Sequence, residues 1–345
     1  MKILRWLFFP ISLLYAGIMM CRNWAFDKKW FSVYRSTIPT ISVGNLNTGG
    51  TGKTPFVEFL IEKLKAEFQL ATLSRGYGRK TKGFLRASEK DNAQSLGDEP
   101  YQMQLKYGKQ VLVSVDEKRA NGLQELEKLK DTPDLVIMDD AYQHRYAERD
   151  LNILLTSYDD LFVDDFVLPT GNLRESRVGA RRSDMIVVTK CSSDLSASQK
   201  NNVIRRLSKY CTKEQIYFSS IKYGRFKNLQ HESVELESNN LAVLTGIANP
   251  QPFLNHLDRY QIVEHFKFRD HHSFTKADLD AISVKLSQKD VPLVTTEKDM
   301  VRLLSLADHS LFKEREVLYL PIAVQIDREE DFLNRVMTSL KRAKS

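Results

Sequence analysis

The sequence predicts an α/β protein with a mostly parallel main sheet, helices on both sheet faces, and a smaller second α/β domain. Short apolar runs alternate with longer amphipathic stretches from about residue 38 onward. A glycine-rich loop follows the first apolar run, and a polar stretch at residues 217–240 precedes a second set of runs. Strands that alternate with helices in this way are typical of parallel sheets covered on both faces.

Short apolar runs supply the predicted strands of the main sheet. They are residues 40–43, 69–73, 111–115, 135–138, 151–155 and 185–188. Residues 54–68 show the spacing of an amphipathic helix, with apolar side chains at Phe56, Phe59, Leu60 and Leu64. The second unit has its apolar runs at residues 241–244, 292–295 and 317–320. We place the boundary between the two units near residue 225, where the composition becomes polar.

The composition of the chain indicates which kinds of partner and which compartment suit the protein. The chain has 345 residues, is 42% hydrophobic and carries a net charge of +7. Such an excess suits an anionic partner, but the basic residues are spread along the chain, which argues against nucleic acid. The three cysteines match no metal motif, and an odd number argues against a disulfide framework. We therefore expect a reducing compartment.

The N-terminus is apolar from residue 6 to residue 20 and has basic and aromatic flanks. A cleaved signal peptide would need a small-residue cleavage site after this run, and the residues that follow it form a poor one. A buried core helix and a helix lying in the membrane interface both remain open. The flanks favour the interface helix. Its basic residues would face anionic head groups: Lys2, Arg5, Arg22, Lys28 and Lys29.

Residues 44–54 read GNLNTGGTGKT and lie between a predicted strand and a predicted helix. That setting is typical of a phosphate-binding loop of the form G-x-x-x-x-G-K-[ST], although Asn47 stands where the first glycine is expected. Asparagine tolerates the left-handed region, so we expect Asn47 to replace that glycine directly. Lys53 would pair with the β- and γ-phosphates, and Thr54 would hold Mg²⁺. The predicted ATP-binding residues are Asn47, Thr48, Gly49, Gly50, Thr51, Gly52, Lys53 and Thr54.

Two acidic motifs follow the loop. The apolar run LVIM ends in Asp139, and a carboxylate at this point of a nucleotide enzyme commonly holds Mg²⁺ or its water. Asp140, Gln143 and His144 are close enough in sequence to line the same cleft. The motif GDEP places Asp98 and Glu99 in a predicted loop, where one carboxylate could act as a base toward a hydroxyl. An acidic helix N-terminus is the alternative interpretation.

Further polar motifs follow other strands. Arg75, Tyr77 and Arg79 lie in SRGYGR, where arginine can bind phosphate and tyrosine can stack on a ring. A second basic cluster begins at Arg174 and Glu175 and suits an anionic substrate, with a solvated charge run as the alternative. The segment FRDHH offers His271 and His272, which the sequence alone does not distinguish from surface histidines.

Taken together, these motifs resemble the tetraacyldisaccharide 4'-kinase family of lipid A synthesis. The matching segments are GNLNTGGTGKTP, LSRGYGR, GDEP, VIMDDAYQH, PTGNLRES, TGIANP, DHHSF and TTEKD. The resemblance implies a P-loop NTPase-type fold and transfer of the γ-phosphate of ATP, with Mg²⁺, to the 4'-hydroxyl of an acylated glucosamine disaccharide 1-phosphate. The product would be lipid IVA. It also implies a peripheral or monotopic enzyme on the cytoplasmic face of the bacterial inner membrane.

The resemblance also assigns roles to residues and segments. It implies that Asp98 is the base with His271 as its partner, and that Thr54 and Asp139 serve Mg²⁺. The residues expected to line the cleft are Asn45, Arg75, Tyr77, Glu99, Arg119, Gln143, His144, Arg174 and Glu175. The chain departs from the family pattern at Ala141-Tyr142 and at Ser176. The expected segments are a membrane-associated helix at 1–30, a P-loop kinase domain at 31–225, and a smaller α/β domain at 226–345 that closes over the cleft.

A second function fits the phosphate loop as well. The chain could be a nucleotide-driven switch or chaperone in which hydrolysis moves a protein partner. The apolar N-terminus and the histidine of the second domain favour the lipid kinase. A phosphorylated disaccharide lipid would support the kinase, and protein-stimulated hydrolysis without a lipid product would support the switch.

Overall fold

The structure is a computed structural model that describes residues 5–344. Its strands in chain order are β1 (Thr40–Asn45), β2 (Leu70–Ser74), β3 (Leu85–Arg86), β4 (Leu112–Val115), β5 (Leu135–Asp139), β6 (Leu151–Ser157), β7 (Met185–Thr189), β8 (Ile216–Tyr223), β9 (Asn240–Thr245), β10 (Gln261–Lys267), β11 (Leu293–Thr296), β12 (Val317–Leu320) and β13 (Ile322–Ile326). Its α-helices are α1 (Phe9–Asp27), α2 (Lys53–Leu64), α3 (Ala93–Leu96), α4 (Asp98–Tyr107), α5 (Arg119–Glu127), α6 (Ala197–Leu207), α7 (Gln251–His256), α8 (Lys276–Leu286), α9 (Glu297–Leu303), α10 (Leu311–Glu314) and α11 (Glu329–Lys344).

The larger sheet has nine strands in the order β13-β8-β7-β6-β1-β5-β2-β4-β3. From β8 to β4 each neighbouring pair is parallel, and the strand at each edge is antiparallel to its neighbour. β1 therefore lies inside the sheet, with β5 on one side and β6 on the other. Because these strands are parallel, the loop after β1 and the end of β5 meet at the same sheet edge.

Helices cover both faces of this sheet. Alternate residues of β5 belong to different cores: Leu135 and Ile137 pack with α2, whereas Val136 and Met138 pack with α5. A strand that is apolar on both sides must be covered on both sides. The predicted fold class is confirmed.

The smaller sheet has four parallel strands in the order β10-β9-β11-β12. The predicted runs at 241–244, 292–295 and 317–320 are present as β9, β11 and β12. β10 was not predicted, because its side chains are mostly half-buried and lack a continuous apolar pattern. The polar stretch at 217–240 includes all but the first residue of β8, which completes the parallel part of the larger sheet.

The C-terminus returns to the larger sheet. β13 pairs antiparallel with β8, with Val324 opposite Ile221. Phe332 and Val336 of α11 are fully buried in the core that α2 also fills. The expectation that all of residues 226–345 form the smaller domain is therefore wrong for residues 322–344, because their apolar stripe needs the larger core. The division near residue 225 stays a prediction.

Helix α1 lies on the outside of the protein. Leu13, Leu14 and Ile18 are each more than half exposed, so α1 is not a core helix. One side of it is tied to the chain by polar contacts: Ser12 Oγ donates to Thr170 Oγ1 at 2.7 Å. Within residues 5–344, no helix has the length and apolarity that crossing a bilayer requires. Lys2, one of the predicted head-group contacts, lies outside the described residues.

Candidate active site

The phosphate-binding loop turns directly from β1 into α2. Gly52 has a φ of +80°, a left-handed conformation that glycine adopts without strain, and α2 begins at Lys53. The Lys53 ammonium lies 3.2 Å from Asn45 Oδ1 and 3.6 Å from Asp140 Oδ1. A Cβ atom added at Gly49 or Gly50 would meet nothing within 4 Å, so this part of the loop is open. The arrangement leaves backbone amides and one lysine at a helix N-terminus, which suits phosphate oxygens.

Asn47 plays a different part from the one its position suggests. It does not have a positive φ, so the prediction that it takes a left-handed glycine position is wrong. Its side chain is buried, and its Nδ2 donates to Asp160 Oδ2 at 3.3 Å. The neighbouring Thr48 N donates to Asn172 O at 2.8 Å. Asn47 and its neighbour therefore fix the loop to the segments behind it.

Asp139 ends β5 beside the start of the loop, because it pairs with Val43 in the parallel register. Burial, and then the nearby charge of Glu99, raise the pKa of Asp139 to about 7. Its Oδ1 atom is buried and has no hydrogen-bond partner among residues 5–344. A buried carboxylate oxygen without a partner fits a cation or its bound water. Thr54 lies in the first turn of α2, and its role as a second oxygen ligand of Mg²⁺ stays a prediction.

A polar network continues from Lys53 along the cleft. Arg174 donates to both carboxylate oxygens of Asp140 at 3.0 and 3.1 Å. Burial alone would raise the pKa of Asp140, but Lys53 and Arg174 outweigh it and hold the pKa below its usual value. Gln143 Nε2 donates to Asn45 O at 2.9 Å. These contacts bring the predicted residues Asn45, Lys53, Gln143 and Arg174 together.

Two predicted cleft residues are almost fully buried. Arg119 is only 1% exposed and donates to the carbonyls of Asp116 and Asp139, and burial lowers its pKa to about 10. Glu175 is also buried and accepts from Arg182 at 2.8 Å. Arg119 and Glu175 therefore support the cleft from below and do not line it, which corrects their expected place.

His144 is half-buried. Burial, and then the charge of Arg119, lower its pKa to about 3, so the imidazole is neutral near pH 7. A neutral imidazole with such a low pKa does not serve as a proton donor there. Tyr142, one of the departures from the family pattern, is fully buried and donates to Gly179 O at 2.7 Å. That departure therefore falls in the core.

Asp98 is the first residue of α4, so the GDEP carboxylates lie in the first turn of a helix and not in a loop as predicted. Gly97 precedes it with a φ of +91°, and a Cβ there would lie 2.8 Å from Tyr77 O. Only glycine fits this contact, which holds GDEP against the SRGYGR turn. In that turn Tyr77 is 78% exposed, and Arg75 has no hydrogen bond or ion pair within the described part of the chain.

The second domain brings His271 to Asp98. His271 Nδ1 lies 3.4 Å from Asp98 Oδ2. His272 instead has its Nε2 3.0 Å from Asp278 Oδ2 and stacks on Phe268. The structure thus distinguishes the two histidines, and it is His271 that faces the carboxylate.

Arg302 of α9 was missed by sequence reasoning. Its Nε donates to Asp98 Oδ2 at 2.9 Å, and Lys298 of the same helix lies 3.4 Å from Glu99 Oε1. Lys298 and Arg302 are four residues apart and so share one helix face. That spacing after TTEKD was the available signal, but it carries no information about the partner.

The whole chain can be compared with known proteins. The family model described as LpxK, tetraacyldisaccharide-1-P 4'-kinase, matches residues 4–341. The chain belongs to this family. A tetraacyldisaccharide 4'-kinase of Flavobacterium johnsoniae is 42% identical over 345 residues, covering 99% of this chain and 98% of that protein. A Bacteroides fragilis protein with the same description is 38% identical, covering 97% of this chain and 92% of its own length.

A solved structure extends the likeness to the fold. The crystal structure of LpxK from Aquifex aeolicus in complex with ATP aligns with a TM-score of 0.78 and 31% identity, covering 99% of this chain and 100% of that one. The predicted family, fold class and kinase activity with ATP are confirmed, and the switch or chaperone alternative is not favoured. The roles of individual residues stay predictions.

Proposed function

We propose that the residues described above transfer the γ-phosphate of ATP to the 4'-hydroxyl of a tetraacyldisaccharide 1-phosphate, giving lipid IVA. The observation that supports these roles is that the protein has both a phosphate-binding loop and a carboxylate suited to act as a base. The loop lies at the end of β1, with Lys53 already oriented. The carboxylate is that of Asp98, which is partly exposed at the contact between the two domains.

The reaction then needs one base and several positive groups. Asp98 takes the proton of the 4'-hydroxyl while the oxygen of that hydroxyl forms a bond to the γ-phosphorus. The bond from that phosphorus to the β,γ-bridging oxygen breaks, and ADP leaves with the electron pair. Lys53 and the loop amides offset the charge that spreads over the phosphoryl oxygens. Mg²⁺ held by Thr54 and Asp139 would neutralise charge between the β- and γ-phosphates.

The lipid substrate explains helix α1. Ile11, Leu13, Leu14 and Ile18 point outward. Arg22 lies in the last turns of the helix, and Lys28 and Lys29 follow its C-terminal end. The helix also contacts one cleft residue and one residue that supports the cleft: Tyr15 donates to Arg174 O at 2.7 Å, and Asn23 donates to Glu175 at 2.8 Å. We infer that α1 lies in the interface of the inner membrane on the side where ATP is made. A substrate held in that leaflet would meet the cleft directly.

The kinase roles are tested by incubating the protein with γ-labelled ATP and a tetraacyldisaccharide 1-phosphate in mixed micelles. We expect label on the lipid, and a loss of about 10²-fold or more for Asp98→Ala with ATP binding kept. Exposed Glu89→Ala is the matched control and should keep full turnover. Full turnover by Asp98→Ala would overturn the base assignment.

The membrane role is tested by flotation with vesicles that contain anionic lipid. Leu13→Glu/Leu14→Glu places two charges on the outward face of α1 and should abolish most flotation. Val284→Glu changes an apolar residue that is 73% exposed on the smaller domain and should float normally. Flotation of the α1 variant at the wild-type level would place the anchor elsewhere.

A further inference from the structure

The guanidinium of Arg302 joins both proposed catalytic side chains. Its side chain is only 4% exposed. Nε donates to Asp98 Oδ2 at 2.9 Å, and one terminal nitrogen lies 3.1 Å from His271 Nδ1. The other terminal nitrogen donates to Asp299 Oδ1 at 3.0 Å and to Gly246 O at 2.9 Å. One planar group therefore contacts α4 of the larger domain and two segments of the smaller one.

These contacts fix where the proton of His271 lies. Arginine only donates hydrogen bonds, so the Nδ1 atom that it contacts must accept. A neutral His271 then carries its proton on Nε2. Nδ1 cannot also donate to Asp98, and the longer Nδ1–Oδ2 distance of 3.4 Å agrees with this. Asp98 and His271 are thus connected through Arg302.

The contacts also distinguish the two oxygens of Asp98. Oδ2 accepts from Arg302, whereas Oδ1 accepts no hydrogen bond from any residue between 5 and 344. A carboxylate held at one oxygen by a charged donor stays oriented and leaves the other oxygen for the reaction. Oδ1 is therefore the oxygen that is left to accept from a substrate hydroxyl.

Arg302 is itself held firmly. Asp299 is fully buried, and its Oδ2 accepts from Gly246 N at 2.9 Å and from Thr296 Oγ1 at 2.8 Å. A planar guanidinium with donors fixed on three sides loses little freedom when it binds a carboxylate. The residues that hold Arg302 in place all belong to the smaller domain, so the orientation of Asp98 depends on contact between the domains.

We infer that Arg302 is a positioning residue for the phosphoryl transfer: it holds Asp98 by Oδ2, aims Oδ1 at the acceptor hydroxyl and keeps His271 Nδ1 unprotonated. This inference rests on the proposed role of Asp98 as the base. It assigns Arg302 of α9 a part in turnover, beyond packing between the domains.

The test is a double-mutant cycle on lipid phosphorylation. Arg302→Met should lower kcat by roughly 10²-fold while KM for ATP stays within about threefold, because the ATP site is untouched and the base is misaligned. In an Asp98→Asn background the same change should cost almost nothing, since Arg302 acts through Asp98. Added guanidinium should restore part of the turnover of Arg302→Ala.

Lys298→Met is the matched control, because it removes another contact between α9 and α4 without touching Asp98. It should keep kcat within about threefold of wild type, as expected for a half-exposed ion pair. If Arg302→Met does not fold, Arg302→Lys keeps the charge and should show a smaller loss of kcat that is again absent in the Asp98→Asn background.

Equal losses from Arg302→Met with and without the Asp98 carboxylate would overturn the inference, as would wild-type kcat. Failure of the underlying function looks different. In that case the wild-type protein would label no lipid, or Asp98→Ala would be fully active, whatever Arg302 does.

Discussion

Lys53 is oriented by two oxygen atoms before any phosphate is present. Asn45 Oδ1 lies 3.2 Å from its ammonium, and Asp140 Oδ1 lies 3.6 Å away. We expect Lys53→Met to lower kcat/KM by roughly 10²- to 10³-fold, since one donor to the developing charge is lost. Steady-state kinetics with varied ATP measure this. Lys63→Met, on the exposed face of the same helix, should change little, and an equal loss there would point to damage to α2 instead.

The Asp139 carboxylate is expected to be needed for turnover and, at neutral and higher pH, to lower the stability of the fold. Its pKa is raised to about 7, chiefly by burial, from a usual value of 3.8. A raised pKa means that its contribution to stability is present below pH 3.8 and is lost as the pH rises through about 7. Asp139→Asn should therefore raise the Tm of the protein without ATP or Mg²⁺ at pH 8, by at least about 2 °C. The gain should shrink as the pH falls from 7 toward 4, while turnover is lost at every pH.

Thermal unfolding at several pH values checks this expectation. Exposed Asp290→Asn is the control and should show no such trend. A lower Tm for Asp139→Asn at pH 8 would show that the carboxylate is already compensated within the protein.

The sequence allowed prediction of some site residues and not of others, for a physical reason. Lys53, Thr54 and Asp98 lie in motifs whose local backbone places the side chain, so the motif alone was enough to propose them as site residues. Arg302 depends on a partner 204 positions away, which no local pattern contains. Arg119 carries a charge that usually lies at the surface, yet it is buried because two backbone carbonyls accept from it.

At the scale of elements, the contact between α4 and α9 depends on buried charge. Lys106 of α4 lies 2.9 Å from Glu297 Oε1 of α9 and also pairs with Glu58 of α2. Gln102 Nε2 donates to the other oxygen of Glu58 at 2.7 Å. Burial raises the pKa of Glu58 even though Lys106 opposes it. The ammonium group of Lys106 therefore links α2 and α4 of the larger domain to α9 of the smaller one.

Lys106→Met should be strongly destabilising. It leaves two carboxylates facing each other without a cation, and breaking a buried pair typically costs about 3–5 kcal/mol. Chemical denaturation should show this loss in the free energy of unfolding, and adding Glu58→Gln should recover more than half of it. Lys128→Met removes an exposed pair with Glu125 and should cost under about 1 kcal/mol. A loss for Lys106→Met no larger than that control would show that water already solvates the cluster.

Some strands, like some site residues, could be predicted from the sequence, and others could not. β1, β5 and β6 were predictable because they are buried on both sides and contain several apolar residues, which in β5 form a continuous run. β10 was not, because its half-buried residues give no clear period. β8 lies mostly in the polar stretch at 217–240, whose composition predicts connecting strands or a loop without separating the two. β13 was missed because it pairs only at the sheet edge, with alternating exposure.

At the scale of the whole molecule, the chain leaves the larger sheet after β8 and returns to it at β13. The smaller domain is therefore an insertion between two neighbouring strands of one sheet. Both connections lie at the same edge, since β8 and β13 are paired. The helix α11 that follows β13 packs against α2, the helix that begins with Lys53, and Phe56 and Phe332 have ring centroids 5.9 Å apart.

Because of this return, we expect the last residues to be necessary for folding. Phe332 and Val336 are fully buried, and Leu340 is nearly so. Burying each such side chain is worth about 1.5–3 kcal/mol, so the three together approach the whole stability of an ordinary domain. A chain that ends at residue 320 lacks β13 and α11. We expect it to be largely insoluble and to lose cooperative unfolding, whereas a chain that ends at residue 343 should unfold like the full protein.

Circular dichroism and the soluble fraction distinguish the two chains, and a synthetic peptide of residues 321–345 added during refolding provides a stricter test. If the missing core is the cause, the peptide should restore the cooperative transition of the chain that ends at residue 320. The same peptide with Phe332→Ser and Val336→Ser should not, because it presents the same strand without the apolar face. A soluble chain ending at 320 that unfolds cooperatively on its own would show that α2 and the larger sheet are stable without α11.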